Sequence, residues 1–235
     1  MWLVLNFVLN RKFSASKSPT FHILTVVEHL KKPMNQVEKP TNELLDIYIE
    51  KFNNDKRYLP ADKAINNLFT AFPNNKKLED ILLKISVIND LYSTNILGTF
   101  KMAEHIQSLD IDQKLKQGNP ELVNEIAKGH GIRTKKHNTE LNFYSFSTKY
   151  CNWHNQESYA IYDSFVDKVL MAYKRKDNFS NFKQADLKVF RKFKKIIDDF
   201  AKFYGLTKHN LKEIDKFLWI YGKERFPTNY TKKNK

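Results

Sequence analysis

Lys149 and Asp163 are the two side chains whose types and spacing are suited to covalent chemistry. Lys149 is the single lysine between Leu141 and Trp153, a stretch of aromatic, apolar and hydroxyl-bearing residues. An amine kept from water on such a surface loses the solvation that stabilises its charged form, so its pKa falls and it becomes a nucleophile. Asp163 follows Ile161-Tyr162 and precedes Phe165, Val166, Val169 and Leu170, the pattern of a helix N-cap. There the positive end of the helix dipole favours a carboxylate, which can stabilise a developing cation or take a proton from the lysine. Tyr150 and Trp153 offer rings that either fill a core or stack against a planar base, with His154 in the turn behind them. Cys151 and His154 stand three apart, but no second Cys pair or His-x-x-His accompanies them, so they read as a core thiol and a turn histidine. No metal site or cofactor is expected.

The elements that must position these residues are helices. From Thr41 onward the apolar spacing is three and four, with no strand alternation. Thr41 or Asn42 opens the first pattern, and further helices are expected at about 61–71, 78–91, 95–109, from Pro120 to Gly129, from 141 to about 153 and from 163 to about 174. Two more are expected at about 185–204, stopped by Gly205, and at 207–222, with Thr207 as cap and Gly222 as stop. The fold class that follows is all-α, a single domain over 34–225 with a basic tail at 226–235. Residues 1–33 are read as an extension ahead of Met34. Their apolar run, Trp2 to Leu9, is too short to cross a bilayer and lacks the preceding basic residues of a signal peptide. With one cysteine in the chain, a disulfide within it is excluded and a reducing, cytoplasmic setting is expected.

Charge is the other strong signal. The 235 residues carry 40 Lys and Arg against 26 Asp and Glu, a net of +14. Nineteen of the basic and eight of the acidic residues lie between Val166 and Lys235, so the excess is concentrated in the last third. Lys188, Arg191, Lys192 and Lys195, with Lys194, alternate with Phe190, Phe193, Ile196 and Ile197, which gives one greasy and one cationic face suited to lie along phosphates. Arg133, Lys135 and Lys136 form a second basic segment in a polar loop. DNA is the expected partner, with RNA as an alternative and no membrane. A Lys-rich solvated surface with no ligand is the competing reading. No phosphate-binding glycine loop, dinucleotide fingerprint or nucleophile elbow is present, so nucleotide hydrolysis and serine-hydrolase chemistry find no support.

Ser147-Thr148-Lys149, followed by Tyr159-Ala160-Ile161-Tyr162-Asp163-Ser164, resembles the helix-hairpin-helix DNA glycosylases of the 8-oxoguanine type, over about residues 85–225. That resemblance implies a multi-helix glycosylase-like bundle acting in base excision repair. It makes Lys149 the Schiff-base nucleophile and Asp163 the activating carboxylate, for removal of a damaged or modified base with or without cleavage of the abasic strand. The sequence departs from the family's pattern. Phe146-Ser147-Thr148 stands where Gly-x-Gly is usual, Ala160 replaces proline, and the Lys-to-Asp spacing is shorter. The alternative is a nucleic-acid-binding protein without catalysis, using its basic C-terminal third.

Overall fold

The computed structural model describes residues 37–129, 131–133 and 139–227. Ten α-helices account for nearly all regular structure among them: α1 (Asn42–Asn54), α2 (Tyr58–Ala71), α3 (Leu78–Leu91), α4 (Thr99–Ser108), α5 (Asp112–Lys116), α6 (Glu121–Ala127), α7 (Tyr144–His154), α8 (Ser164–Asp177), α9 (Phe190–Tyr204) and α10 (Leu211–Arg225). A 3₁₀ turn covers Gln184–Lys188, and one isolated bridge pairs Arg133 with Glu140; among the described residues there is no strand. The all-α class is therefore correct.

Local chemistry explains most boundaries. Thr41 caps α1 by accepting from the Leu44 N–H at 3.2 Å. Asn210 and Glu213 form a reciprocal capping box at 3.0 and 2.9 Å, so α10 starts at Leu211 rather than at Thr207. Gly205 ends α9 in the left-handed region, φ 68°, as expected. Gly222 does not end α10. It lies inside the helix because a Cβ there would sit 2.8 Å from Phe165 Cβ and 3.0 Å from the Phe165 carbonyl oxygen, so its job is close packing of α10 on α8. The single helix expected at 185–204 is two elements, separated where Val189 adopts extended backbone. Asn95 takes φ 58° in a loop, so the helix expected from 95 begins at Thr99.

The core runs through α7. Nine of its eleven residues are buried, so it is a central element with neighbours on every side, among them α2, α3, α5 and α6. α3 supplies Ile81, Ile85 and Ile88, each fully enclosed. α9 shows the amphipathic division expected of it, burying Phe190, Phe193, Ile196, Ile197 and Phe200. α10 packs on α1 and α8, and a ring cluster of Tyr48, Phe217, Tyr221 and Tyr173 joins the three. A buried ion pair between Glu38 and Arg225, with the Glu38 N–H donating to Tyr221 Oη at 2.7 Å, fastens the segment before α1 to the end of α10.

Candidate functional site

Lys149 is 3 % exposed on α7. Its ammonium donates to Ser145 Oγ at 2.7 Å, the Ser145 carbonyl at 3.2 Å and the Tyr162 carbonyl at 3.0 Å, and it lies 5.5 Å from the centre of the Tyr92 ring. Burial pushes its pKa from 10.5 down to about 8, against the opposing pull of Asp163 and Asp215. Thr148 Oγ accepts from the Tyr162 N–H at 3.1 Å, and Ser145 Oγ donates to the Tyr162 carbonyl at 3.1 Å. The hydroxyl residues before the lysine thus tie α7 to the backbone that delivers Asp163.

Asp163 is the N-cap of α8. Its Oδ1 accepts from the N–H groups of Phe165 at 2.8 Å and Val166 at 2.9 Å, which fixes the carboxylate. It lines a pocket of about 110 Å³ enclosed by residues of α1, α2, α7, α8 and α10 and of the α3 end. The walls are aromatic, with Tyr58, Tyr92, Trp153 and Trp219 prominent, and the polar groups are few: Asp62, Asn152, Asp163, Lys212, Asp215 and Lys216. An apolar, ring-lined recess with a small set of polar atoms is suited to a planar heteroaromatic guest.

Asp215 is the residue the sequence reading missed. It is 6 % exposed; its Oδ2 accepts from the Ile161 N–H at 3.1 Å, while its Oδ1 is buried with no hydrogen-bond partner. Burial pushes its pKa well above 3.8, with a further push from Asp163, against the pull of the Ile161 N–H and of Lys149. A signal was present in the sequence: Asp215, Leu218 and Gly222 share one stripe of α10, so the acid had to face the packed side. Lys212 and Lys216 were also missed. The Lys212 ammonium pairs with Asp62 at 3.1 Å and lies 4.8 Å over the Trp153 ring; that of Lys216 lies 4.4 Å over Phe52 and donates to Asn53 at 3.2 Å.

Of the three residues expected to contact a base, Trp153 lines the pocket, with its indole N–H donating to Tyr92 Oη at 3.1 Å. Tyr150 and His154 do not line it. Tyr150 is fully buried and donates to Asn75 Oδ1 at 2.5 Å. The His154 Nε2 faces the Asn75 amide at 3.3 Å and the Lys84 ammonium at 3.5 Å; burial first, and then the Lys84 charge, push its pKa down to about 3. Both belong to a polar node in which the fully buried Lys84 donates to the carbonyls of Phe72 and Asn74 and to Asn75, while Asn75 donates to Asp112. The carbonyls at the end of α2 are there satisfied by a lysine, which is a structural role.

The expected phosphate track is not a free cationic face. Lys188 lies in the 3₁₀ turn, off α9. Arg191 pairs with Glu121, Lys192 with Asp186, Lys194 with Asp198 and Lys195 with Asp199, at 2.5 to 2.8 Å. Arg133 pairs with Glu140 at 2.8 Å, and Lys135 and Lys136 lie outside the described residues. Exposed pairs of this kind hold by about 0–1 kcal/mol, so a polyanion can exchange them. Among the described residues no three His, Cys, Asp or Glu gather as a metal would need, and no helix is long and apolar enough to cross a membrane.

The HI_0787 N-terminal domain family matches residues 44–158, from α1 through α7 and so through Lys149 and Trp153. An uncharacterised protein of Haemophilus influenzae is 44% identical over 151 residues, 64% of this chain and 70% of the relative. The chain belongs to the HI_0787 family. The matched domain stops before Asp163, so the carboxylates of the pocket's other side, Asp163 and Asp215, come from chain beyond it. No solved structure matches the chain.

Proposed function

We propose that this HI_0787-family protein is a DNA base-excision glycosylase with Lys149 as nucleophile and Asp163 as its activating carboxylate. The observation that carries the reading is a fully desolvated lysine, with pKa about 8, in the field of an N-cap aspartate that lines a ring-walled pocket. The base enters the pocket against Trp153 and Trp219, where Asp215 offers it a polar atom with no other partner. The neutral Lys149 Nζ forms a bond to the sugar C1′ as the C1′–N bond breaks and its electron pair leaves with the base. Asp163 stabilises the positive charge on the sugar and takes the proton released from the lysine nitrogen. The nitrogen lone pair then forms a C=N bond as the C1′–O4′ bond breaks and O4′ takes up a proton, and the resulting ring-opened imine between Lys149 and C1′ is reducible.

Borohydride trapping on duplex and single-stranded DNA carrying an abasic site tests this. A covalent adduct lost in Lys149→Ala, and forming faster as pH rises through about 8, is expected. Absence of adduct with the wild-type protein refutes the nucleophile assignment. One observation favours a second reading, nucleic-acid binding without catalysis: the Lys149 ammonium already donates to three oxygens of the protein. That reading predicts salt-dependent DNA affinity unchanged by Asp163→Asn, with no base release.

A further inference from the structure

Lys212, Lys216, Trp219 and Lys223 share one stripe of α10, at spacings of four, three and four. Each lysine of the stripe holds its ammonium over a ring that lines the pocket. That of Lys212 lies 4.8 Å from the centre of Trp153, that of Lys216 lies 4.4 Å from Phe52, and that of Lys223 lies 4.5 Å from Trp219 and 4.9 Å from Tyr58. Hydrogen bonds fix two of them further, from Lys216 to Asn53 Oδ1 at 3.2 Å and from Lys223 to Tyr58 Oη at 2.8 Å. The three cations are therefore held at the pocket wall on half-buried stems.

Their charge is not cancelled where it stands. Lys212 pairs with Asp62 at 3.1 Å, but among the described residues no carboxylate pairs with Lys216 or Lys223. The acids around them are committed elsewhere. Asp55 accepts from the Arg57 and Tyr58 N–H groups at 2.7 and 3.0 Å, Glu213 closes the capping box with Asn210, and Glu224 accepts from Lys51 and Tyr48. Burial lowers the Lys216 pKa from 10.5, and the Lys212 charge lowers it further against the pull of Asp62 and Glu213. The three residues ahead of Lys149 are buried inside α7, so the backbone there is closed to a phosphate and an anion must be met from another side. About 10 Å of helix axis separates Lys216 from Lys223, which suits successive charges of a chain better than one compact anion. A cationic row laid beside stacking rings is the arrangement that tracks a nucleic-acid strand.

We infer that Lys216 and Lys223 of α10 hold backbone phosphates of the DNA strand whose nucleotide occupies the pocket, and that the cations of α9 do not. The inference rests on the glycosylase reading for what enters the pocket, and the salt dependence of binding separates the two. The probe is a fluorescent oligonucleotide with one abasic site, as a duplex and as the same strand alone, its affinity read by anisotropy between about 50 and 200 mM salt. Each phosphate contact adds about 0.9 to the slope of log affinity against log salt on duplex and about 0.7 on a single strand, so Lys216→Gln with Lys223→Gln is expected to lower the slope by about 1.8 and about 1.4. Lys216→Arg with Lys223→Arg keeps the charges and should keep the wild-type slope. Lys192→Gln with Lys195→Gln on α9 should keep it too, because a lysine that leaves Asp186 or Asp199 for a phosphate uncovers a carboxylate that takes up a cation in its place. A wild-type slope in the α10 glutamine variant, an equal loss in the α10 arginine variant, or as large a loss in the α9 variant overturns the inference. Borohydride trapping of the same oligonucleotides by the wild-type protein is read alongside. An adduct with no change of slope in the α10 glutamine variant overturns the phosphate contacts and leaves the lysine chemistry standing; the expected loss of slope with no wild-type adduct keeps the contacts and overturns the nucleophile. A wild-type protein with no salt-dependent affinity and no adduct overturns both.

Discussion

Replacing Lys149 with methionine should separate the protein's stability from its chemistry. A pKa held at about 8 in the folded protein against 10.5 in the unfolded chain means that the unfolded chain binds the extra proton between those values, so unfolding free energy rises as pH goes from about 8 to about 10.5. Below about 8 the folded protein carries a penalty of about 3 kcal/mol for this one charge. Methionine removes the charge at nearly the same volume. The oxygens it abandons keep partners: the Tyr162 carbonyl still accepts from Ser145 Oγ at 3.1 Å, and the Ser145 carbonyl still accepts from Thr148 Oγ at 3.0 Å. Lys149→Met should therefore match the wild type or exceed it by about 1–3 kcal/mol at pH 7, once the loss of an ammonium hydrogen bond to Ser145 Oγ is set against the relieved penalty. The advantage should shrink as pH climbs from 8 toward 10.5. Urea unfolding followed by tryptophan fluorescence, at pH steps from 7 to 10 for both proteins, measures it, and the difference between the two curves cancels the contribution of the buried tyrosines. Identical pH slopes, or a loss of more than about 3 kcal/mol at pH 7, would refute the account of Lys149 as a desolvated charge.

Other substitutions test neighbouring parts of the same argument. Asp163→Asn keeps an oxygen for the Phe165 and Val166 N–H groups and should hold thermal stability while abolishing trapping; Asp163→Ala should lose about 1 kcal/mol as well, measured by calorimetry. Asp215 has a folded pKa well above 3.8, so its cost to stability is absent below that value and grows as pH rises through the window above it. Asp215→Asn should accordingly stabilise the protein at pH 7 and make no difference near pH 3, a comparison made by denaturant melts at both. Gly222→Ala should destabilise by about 1–3 kcal/mol, since its Cβ must displace Phe165, and an unchanged melting temperature would contradict the close approach of α10 and α8.

Helices with clear periodicity and caps were legible in the sequence, as α1, α3 and α9 show, because a buried stripe and a stopping glycine are local facts. That Lys149 would be buried and that Asp163 would cap the next helix were legible for the same reason: each signal lies within one turn of its own residue. What escaped depended on distant neighbours. Tyr150 and Lys149 are adjacent in sequence yet face different partners, one Asn75 and the other Tyr162, and nothing in α7 alone separates them. Gly222 looked like a stop because a glycine's packing role is set by the helix it touches. Asp186, Asp198 and Asp199 stand among the cations of the 3₁₀ turn and α9 and Glu121 lies on α6, and summing charges could not show that they pair one to one with the lysines and arginine.

The Glu38–Arg225 ion pair and the bonds from Tyr48 and Lys51 to Glu224 close the described chain end upon end. The pocket draws Phe52 and Tyr58 from the early part of that chain and Lys212, Asp215 and Trp219 from the late part. During synthesis the first walls wait, apolar and exposed, until more than 150 further residues have been made. The pocket is complete only when the last helix docks, so a chain stalled or clipped before α10 keeps Trp153 and Asp163 and lacks the wall that Lys212, Asp215 and Trp219 supply.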